Sequence, residues 1–379
     1  TFKMIKIKLL NSSKGRNQDV FEPLKLVHHA LLSVFGIELL WHNNNFNPKL
    51  SQIANTSDYD YLILGPADFV DKNKPLNESV EWGLENCNKV TENGDYFLWD
   101  GFDSTSLLGS YDVFEQSNAI YLLKNQLLKN REDYNKPYHC GKWFFGESDK
   151  GIAYNISKEK WNKIKLSGIN LGYTYMAKMH CWNTPHYEKN LSPIDYHDLA
   201  WFKIKKEKNI DISSVHLGQI PYQEEHGFRN DLPYVKHRKD IWDIVNNLKY
   251  KTFTSDKIRK AEYLNKISNS KIMISPFGQG EICYRDWELI QCGTIMIKPN
   301  MSNIDTIPNM YIDGETYVSC NYDWSDLEEK IDFVLSNYNE LNQKIIHNAR
   351  TKCAELYNSK NLCFYIYDLI KNLSGVEEE

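Results

Sequence analysis

At 379 residues, 41% hydrophobic and 25% charged, the chain can form two ordinary globular domains with a sizeable core and no covalent staples. A formal net charge of −5 argues against a nucleic-acid partner, which calls for a basic excess. Eight cysteines without a C-x-x-C pair fit no zinc site and read as buried thiols of a reducing, cytoplasmic setting.

No signal peptide is read at the N-terminus, because Thr1–Leu10 alternates lysine with apolar residues and predicts a strand. No apolar run reaches the ~20 residues that span a bilayer, which leaves room only for peripheral membrane contact. A start at Thr1 suits a trimmed chain or one module of a longer polypeptide, and Glu377–Glu379 reads as a tail.

Met4–Leu10 predicts a strand, and Phe21–Phe35 has helical apolar spacing stopped by Gly36. Strands follow at Ile37–Trp41, Tyr59–Leu64 and Tyr96–Trp99, with a helix at Val80–Val90 between the last two. Tyr121–Lys129 reads as helical and Lys163–Tyr175 as a strand entering a turn. Beyond a domain boundary near residue 200, strands are expected at Ser213–Leu217, Lys271–Ser275 and Thr294–Lys298. Helices are expected at Lys239–Leu248, Lys257–Ile267 and Tyr284–Gln291. Ser325-Asp326-Leu327-Glu328 has the form of a capping box. Strand–helix alternation predicts parallel α/β sheets, in which ligands bind beyond the carboxyl ends of the strands.

Three strand ends carry unusual chemistry. In Ser275-Pro276-Phe277-Gly278-Gln279-Gly280-Glu281, an apolar strand runs into a glycine loop and then a helix. Gly278 and Gly280 allow close backbone approach, and the following helix N-terminus favours an anion such as a diphosphate. Arg285 can hold a phosphate, Glu288 can accept ribose hydroxyls, and Lys298 ends the next strand on the same face. The plainer reading makes the glycines turn formers and pairs Arg285 with Glu281 or Asp286. The second end, Asp100-Gly101-Phe102-Asp103-Ser104, offers Asp100 or Asp103 as a general base, with helix capping by Asp103 or Ser104 as the other reading. The third places Arg229, His237 and Arg238 to neutralise phosphates and Asp231 as a carboxylate nucleophile; Asn230-Asp231 could equally be a turn. Asp58-Tyr59-Asp60 matches a metal-binding D-x-D but precedes a strand, so it points away from the ligand face.

Ser275–Pro299 resembles the C-terminal donor-binding segment of GT-B glycosyltransferases: a Ser/Pro and Phe-Gly turn, a helix with Glu288, four residues and Gly293, then a strand ending in Pro299. The stretch to Tyr311 is similar to bacterial and viral surface-glycan transferases, and the 229–238 cluster loosely resembles retaining β-Kdo transferases. The resemblance implies two Rossmann-like domains facing a cleft: residues 1–200 for the acceptor and residues 201–379 for the donor, with the last helices allowed to pack back on the first domain. It implies a nucleotide-sugar donor, a glycan or glycolipid acceptor, a role in lipopolysaccharide- or capsule-type synthesis, and no metal or other cofactor. Glu288 would be the ribose ligand. Glu281 and Glu288 have six residues between them where many retaining members have seven, so this motif does not decide between inversion and retention. The rival readings are a non-catalytic carbohydrate-binding protein and another nucleotide-dependent Rossmann enzyme. The chain lacks both a G-x-G-x-x-G after its first strand and a G-x-x-x-x-G-K-S/T.

Overall fold

Parallel strands buried on both faces must be apolar nearly throughout, and Tyr96–Asp100 is buried at every position. It lies inside one of two parallel sheets in this computed structural model. The structure describes residues 4–10, 21–41, 58–71, 74–91, 95–102, 104–169, 172–173, 204–205, 207–215, 233–255 and 258–374. The chain divides into two units: residues 1–198, 305–308 and 357–379 form the first, and residues 199–304 and 309–356 the second.

In the first unit the strands are β1 (Ile5–Leu10), β2 (Ile37–Trp41), β3 (Tyr61–Leu64), β4 (Tyr96–Asp100), β5 (Tyr121–Lys124), the short β6 (Gln126–Leu128) and β7 (Ile164–Leu166). Six of them form one sheet in the order β2-β1-β3-β4-β5-β7, with every adjacent pair parallel. Helices Glu22–Phe35, Leu76–Thr91 and Ser110–Gln116 follow β1, β3 and β4. Gly36 ends the first of these in the left-handed region (φ 66°), where a side chain would be strained. The C-terminal helix Ser359–Ser374 belongs to this unit, and its Tyr367 stacks on Phe35 at 4.3 Å.

The second unit holds β8 (Ile210–Val215), β9 (Thr252–Ser255), β10 (Ser270–Ile274) and β11 (Ile295–Pro299). Its fifth strand is β13 (Val318–Cys320); the intervening β12 (Ile304–Thr306) has Asp305 and Thr306 in the first unit and pairs there with β6. The parallel order is β13-β11-β10-β8-β9. Helices Pro233–Asn246, Lys260–Ser268, Tyr284–Cys292, Leu327–Ser336 and Tyr338–Leu356 accompany it. Ile212, Ile241, Ile272, Ile274, Ile295, Ile297, Leu327 and Ile331 centre its core. Both sheets therefore run second-first-third-fourth-fifth, the doubly wound pattern of Rossmann-like units. In each, the winding direction reverses between the first and third strands.

Four sequence expectations differ. Tyr121–Lys129 is two strands, β5 and β6, because an apolar run buried on both faces shows no alternation to separate it from a helix. Among the described residues of Lys163–Tyr175, Ile164–Leu166 is the strand. The Ser325 capping box is not formed: Asp326 is the N-cap of Leu327–Ser336 and makes no side-chain cap bond. Instead, Asp326 accepts from the Asn321 amide at 2.7 Å. Strand β9 is not expected from the sequence, and the helix after β4, Ser110–Gln116, has Gly109 and not Asp103 or Ser104 at its N-cap position.

Candidate functional site

The reversal in the second unit falls between β8 and β10, so a ligand crevice is expected beyond Ile274. Ser275–Cys283 lies there, followed by helix Tyr284–Cys292. The loop is tied down from below. Asp286, fully buried, accepts from Ser275 Oγ at 2.7 Å, Tyr311 Oη at 2.7 Å and the Cys283 amide at 3.3 Å. Lys298 Nζ pairs with the same carboxylate at 3.1 Å, also fully buried, and sits 5.1 Å over the Phe277 ring. Lys298 was expected to meet a phosphate. Its charge is instead committed to Asp286 under the loop, because a buried carboxylate at this helix start needs a cation.

Arg285 is 6% exposed, and its Nη1 donates to Pro276 O at 3.1 Å and to Ser275 Oγ at 3.3 Å. Its Nε is buried without a hydrogen-bond partner. These bonds differ from the plainer reading, in which Arg285 pairs with Glu281 or Asp286. Gly278 donates to Gly280 O at 2.9 Å, and neither glycine has a positive φ. A β-carbon at 278 would stand 3.4 Å from Arg238 Nη2, an ordinary contact that shows how close the guanidinium lies to the loop. Arg238 is thus brought to the loop from the helix after β8, and Glu281 in the same loop is fully buried.

Glu288 is 5% exposed and its Oε1 is ion-paired with Lys260, a half-exposed residue that the sequence did not single out. Burial, and then the Glu288 carboxylate, push the nearby Tyr263 phenol well up. Lys260 opens the helix before β10, and such a helix starts on the ligand face of a doubly wound sheet. A polar residue at that helix start was the available signal. Lys298 offsets Asp286 and Lys260 offsets Glu288, while the buried Arg238 and Arg285 guanidiniums both approach the glycine loop, an arrangement that suits an anion.

His237 does not act as a cation. It is stacked on Tyr322 (4.0 Å, 13°) and on Trp324 (4.3 Å, 21°), and Nε2–H donates to Tyr322 O at 2.6 Å. Burial, far more than the neighbouring Arg238, pushes its pKa down to about 3, so the ring is neutral near pH 7.

In the first unit, Asp100 lies opposite Lys124 in the ladder and is fully buried. Oδ2 takes Lys124 Nζ at 2.8 Å and the Ser110 hydroxyl, and Oδ1 accepts from the Phe102 amide at 3.0 Å. Expected to face an acceptor, Asp100 instead fastens the ends of β4 and β5. Asp103, Arg229 and Asp231 lie outside the described residues. Asp58 and Asp60 bind Lys6 through its Nζ and amide, at 2.7 and 2.8 Å. Among the described residues no group of three or more His, Cys, Asp or Glu could hold a metal ion, and no helix is long and apolar enough to cross a membrane.

No protein-family model and no curated protein matches the chain. Solved structures do align over nearly the whole length. An alpha-glucosyltransferase in complex with UDP-glucose and DNA containing an abasic site is 12% identical with a TM-score of 0.43, covering 98% of this chain and 99% of that one. HepE from Anabaena in complex with UDP-glucose is 10% identical (TM-score 0.43; 98% and 100% covered). UDP-GlcNAc 2-epimerase from Neisseria meningitidis bound to UDP-GlcNAc is 11% identical (TM-score 0.43; 98% and 100% covered). The first of these complexes contains DNA, and the expectation of no nucleic-acid partner rests on net charge alone.

Proposed function

We propose that the chain is a GT-B glycosyltransferase that moves a sugar from a nucleotide-sugar donor to a glycan or glycolipid acceptor, in the cytoplasm, in surface-polysaccharide synthesis and without a metal. The observation that carries this reading is Arg285: a buried guanidinium with a free Nε, in the first turn of a helix, beside a glycine loop where the sheet reverses direction. That combination suits a diphosphate, held by the guanidinium and by loop and helix amides. Glu288, Arg285, Arg238, Ser275, Gly278, Gly280 and Glu281 form the donor set, and Arg229 would join them. Lys298 serves it indirectly, by fixing Asp286 and so the loop. For the chemistry, Asp231 or Asp103 is the remaining carboxylate candidate, since Asp100 is fully buried and holds Lys124, Ser110 and the Phe102 amide. Ribose hydroxyls would take Glu288 Oε2 or displace Lys260 from Oε1.

The test compares a nucleoside diphosphate with its nucleoside on two variants. Glu288→Ala should weaken both ligands by about 1–3 kcal/mol, the cost of losing a buried hydrogen-bond partner. Arg285→Met should weaken only the diphosphate, by about 1.5–3 kcal/mol for a charge-assisted bond. Unchanged affinities in both variants would remove the donor site from this segment.

A further inference from the structure

Trp324 has φ +64°, one of two described non-glycine residues with positive φ, and it is 3% exposed. A bulky side chain in the left-handed region is strained unless its surroundings hold it there. Here they do. The indole Nε1–H donates to His237 O at 3.0 Å, and the indole face stacks on the His237 ring. The other stacking partner of His237 is Tyr322, whose carbonyl takes the Nε2–H. Tyr322 in turn lies 5.7 Å from Phe277, the residue before Gly278. Two hydrogen bonds and two stacked pairs thus tie residue 237 to the loop after β13. The next residue, Arg238, is the one whose guanidinium packs against Gly278.

From this geometry we infer that the Tyr322–His237–Trp324 stack is a clamp that positions Arg238 on the Gly278 loop as a ligand of the donor diphosphate, with His237 acting as a neutral positioning residue. The inference rests on the donor reading above and goes beyond it, since a strained tryptophan on a separate loop sets the phosphate contact. The ring does not serve as the cation, because it is buried and Nδ1, where a second proton would sit, has no hydrogen-bond partner. Freed from the stack, Arg238 would lose its fixed approach to the loop while Arg285 and Glu288 kept their own partners.

The experiment titrates UDP with uridine, and GDP with guanosine, into wild type and four variants whose melting temperatures are measured alongside. Trp324→Gly suits the backbone but removes the stack. Trp324→Phe keeps a ring and loses only the indole N–H, and His237→Phe keeps a ring and loses the Nε2–H. Arg238→Met removes the proposed ligand. In Trp324→Gly and Arg238→Met, diphosphate Kd should rise about tenfold, while nucleoside Kd stays within about twofold. Trp324→Phe and His237→Phe should fall in between. Trp324→Gly added to Arg238→Met should cost nothing more. Unchanged diphosphate affinity in folded Trp324→Gly or His237→Phe would overturn the clamp. So would equal losses for nucleoside and diphosphate, which mark a merely structural role. If wild type binds neither diphosphate, the donor reading fails and the clamp falls with it; binding by wild type with indifferent variants sinks the clamp alone.

Discussion

His237 shows how one side chain changes meaning once its surroundings are known. A histidine followed by arginine reads as a cationic pair in the sequence, yet burial drives its pKa from 6.5 to about 3. Sign follows from linkage. Above pH 6.5 folded and unfolded chains both hold the ring neutral, and stability is complete. As pH falls from 6.5 towards 3 the unfolded chain binds the proton first, so stability drops by up to about 1.4 kcal/mol per pH unit. Urea melts of wild type between pH 7 and pH 5 should show this slope, and His237→Phe should flatten it. An unchanged slope in the variant would mean that other groups carry it. Nucleotide affinity, by contrast, should not follow a histidine titration near pH 6.5.

Among elements, the Asp286–Lys298 pair is the tie under the loop, joining helix Tyr284–Cys292 to the end of β11. Removing one partner strands a buried charge, so Lys298→Met should cost about 3–5 kcal/mol in urea unfolding. Asp286→Asn combined with Lys298→Met should regain part of that loss; a double variant no better than the single would show the pair is not what the loss reports. Legibility also varied by element. Helix Glu22–Phe35 and strand Ile37–Trp41 were legible because periodic apolar spacing and a glycine stop marked them. The loop Ser275–Glu281 was legible because its glycines punctuate an apolar strand. Tyr121–Leu128 was not, since a run buried on both faces carries no period. Asp100 and Lys298 read as reactive strand-end charges, and only the ladder that places Lys124 beside Asp100, and the helix that places Asp286 beside Lys298, reveal their partners. Lys260 went unnoticed because its meaning depends on Glu288, 28 residues away.

Across the molecule, two sheets with one winding order each have a core of their own, and the chain's last helix completes the first unit. Leu362, Cys363, Ile366 and Ile370 are buried there. Ending the chain at Leu356 should therefore lower the melting of the first unit and leave that of the second nearly unchanged, read as separation of two calorimetric transitions. Loss of both together would contradict independent cores. The central claim is that the end of β10 holds a nucleotide, and calorimetric titration of UDP, GDP, CMP and dTDP into the wild-type protein tests it most directly. The account predicts that one of the four binds at roughly micromolar Kd, about −8 kcal/mol. Absence of binding by all four at millimolar concentration would contradict it.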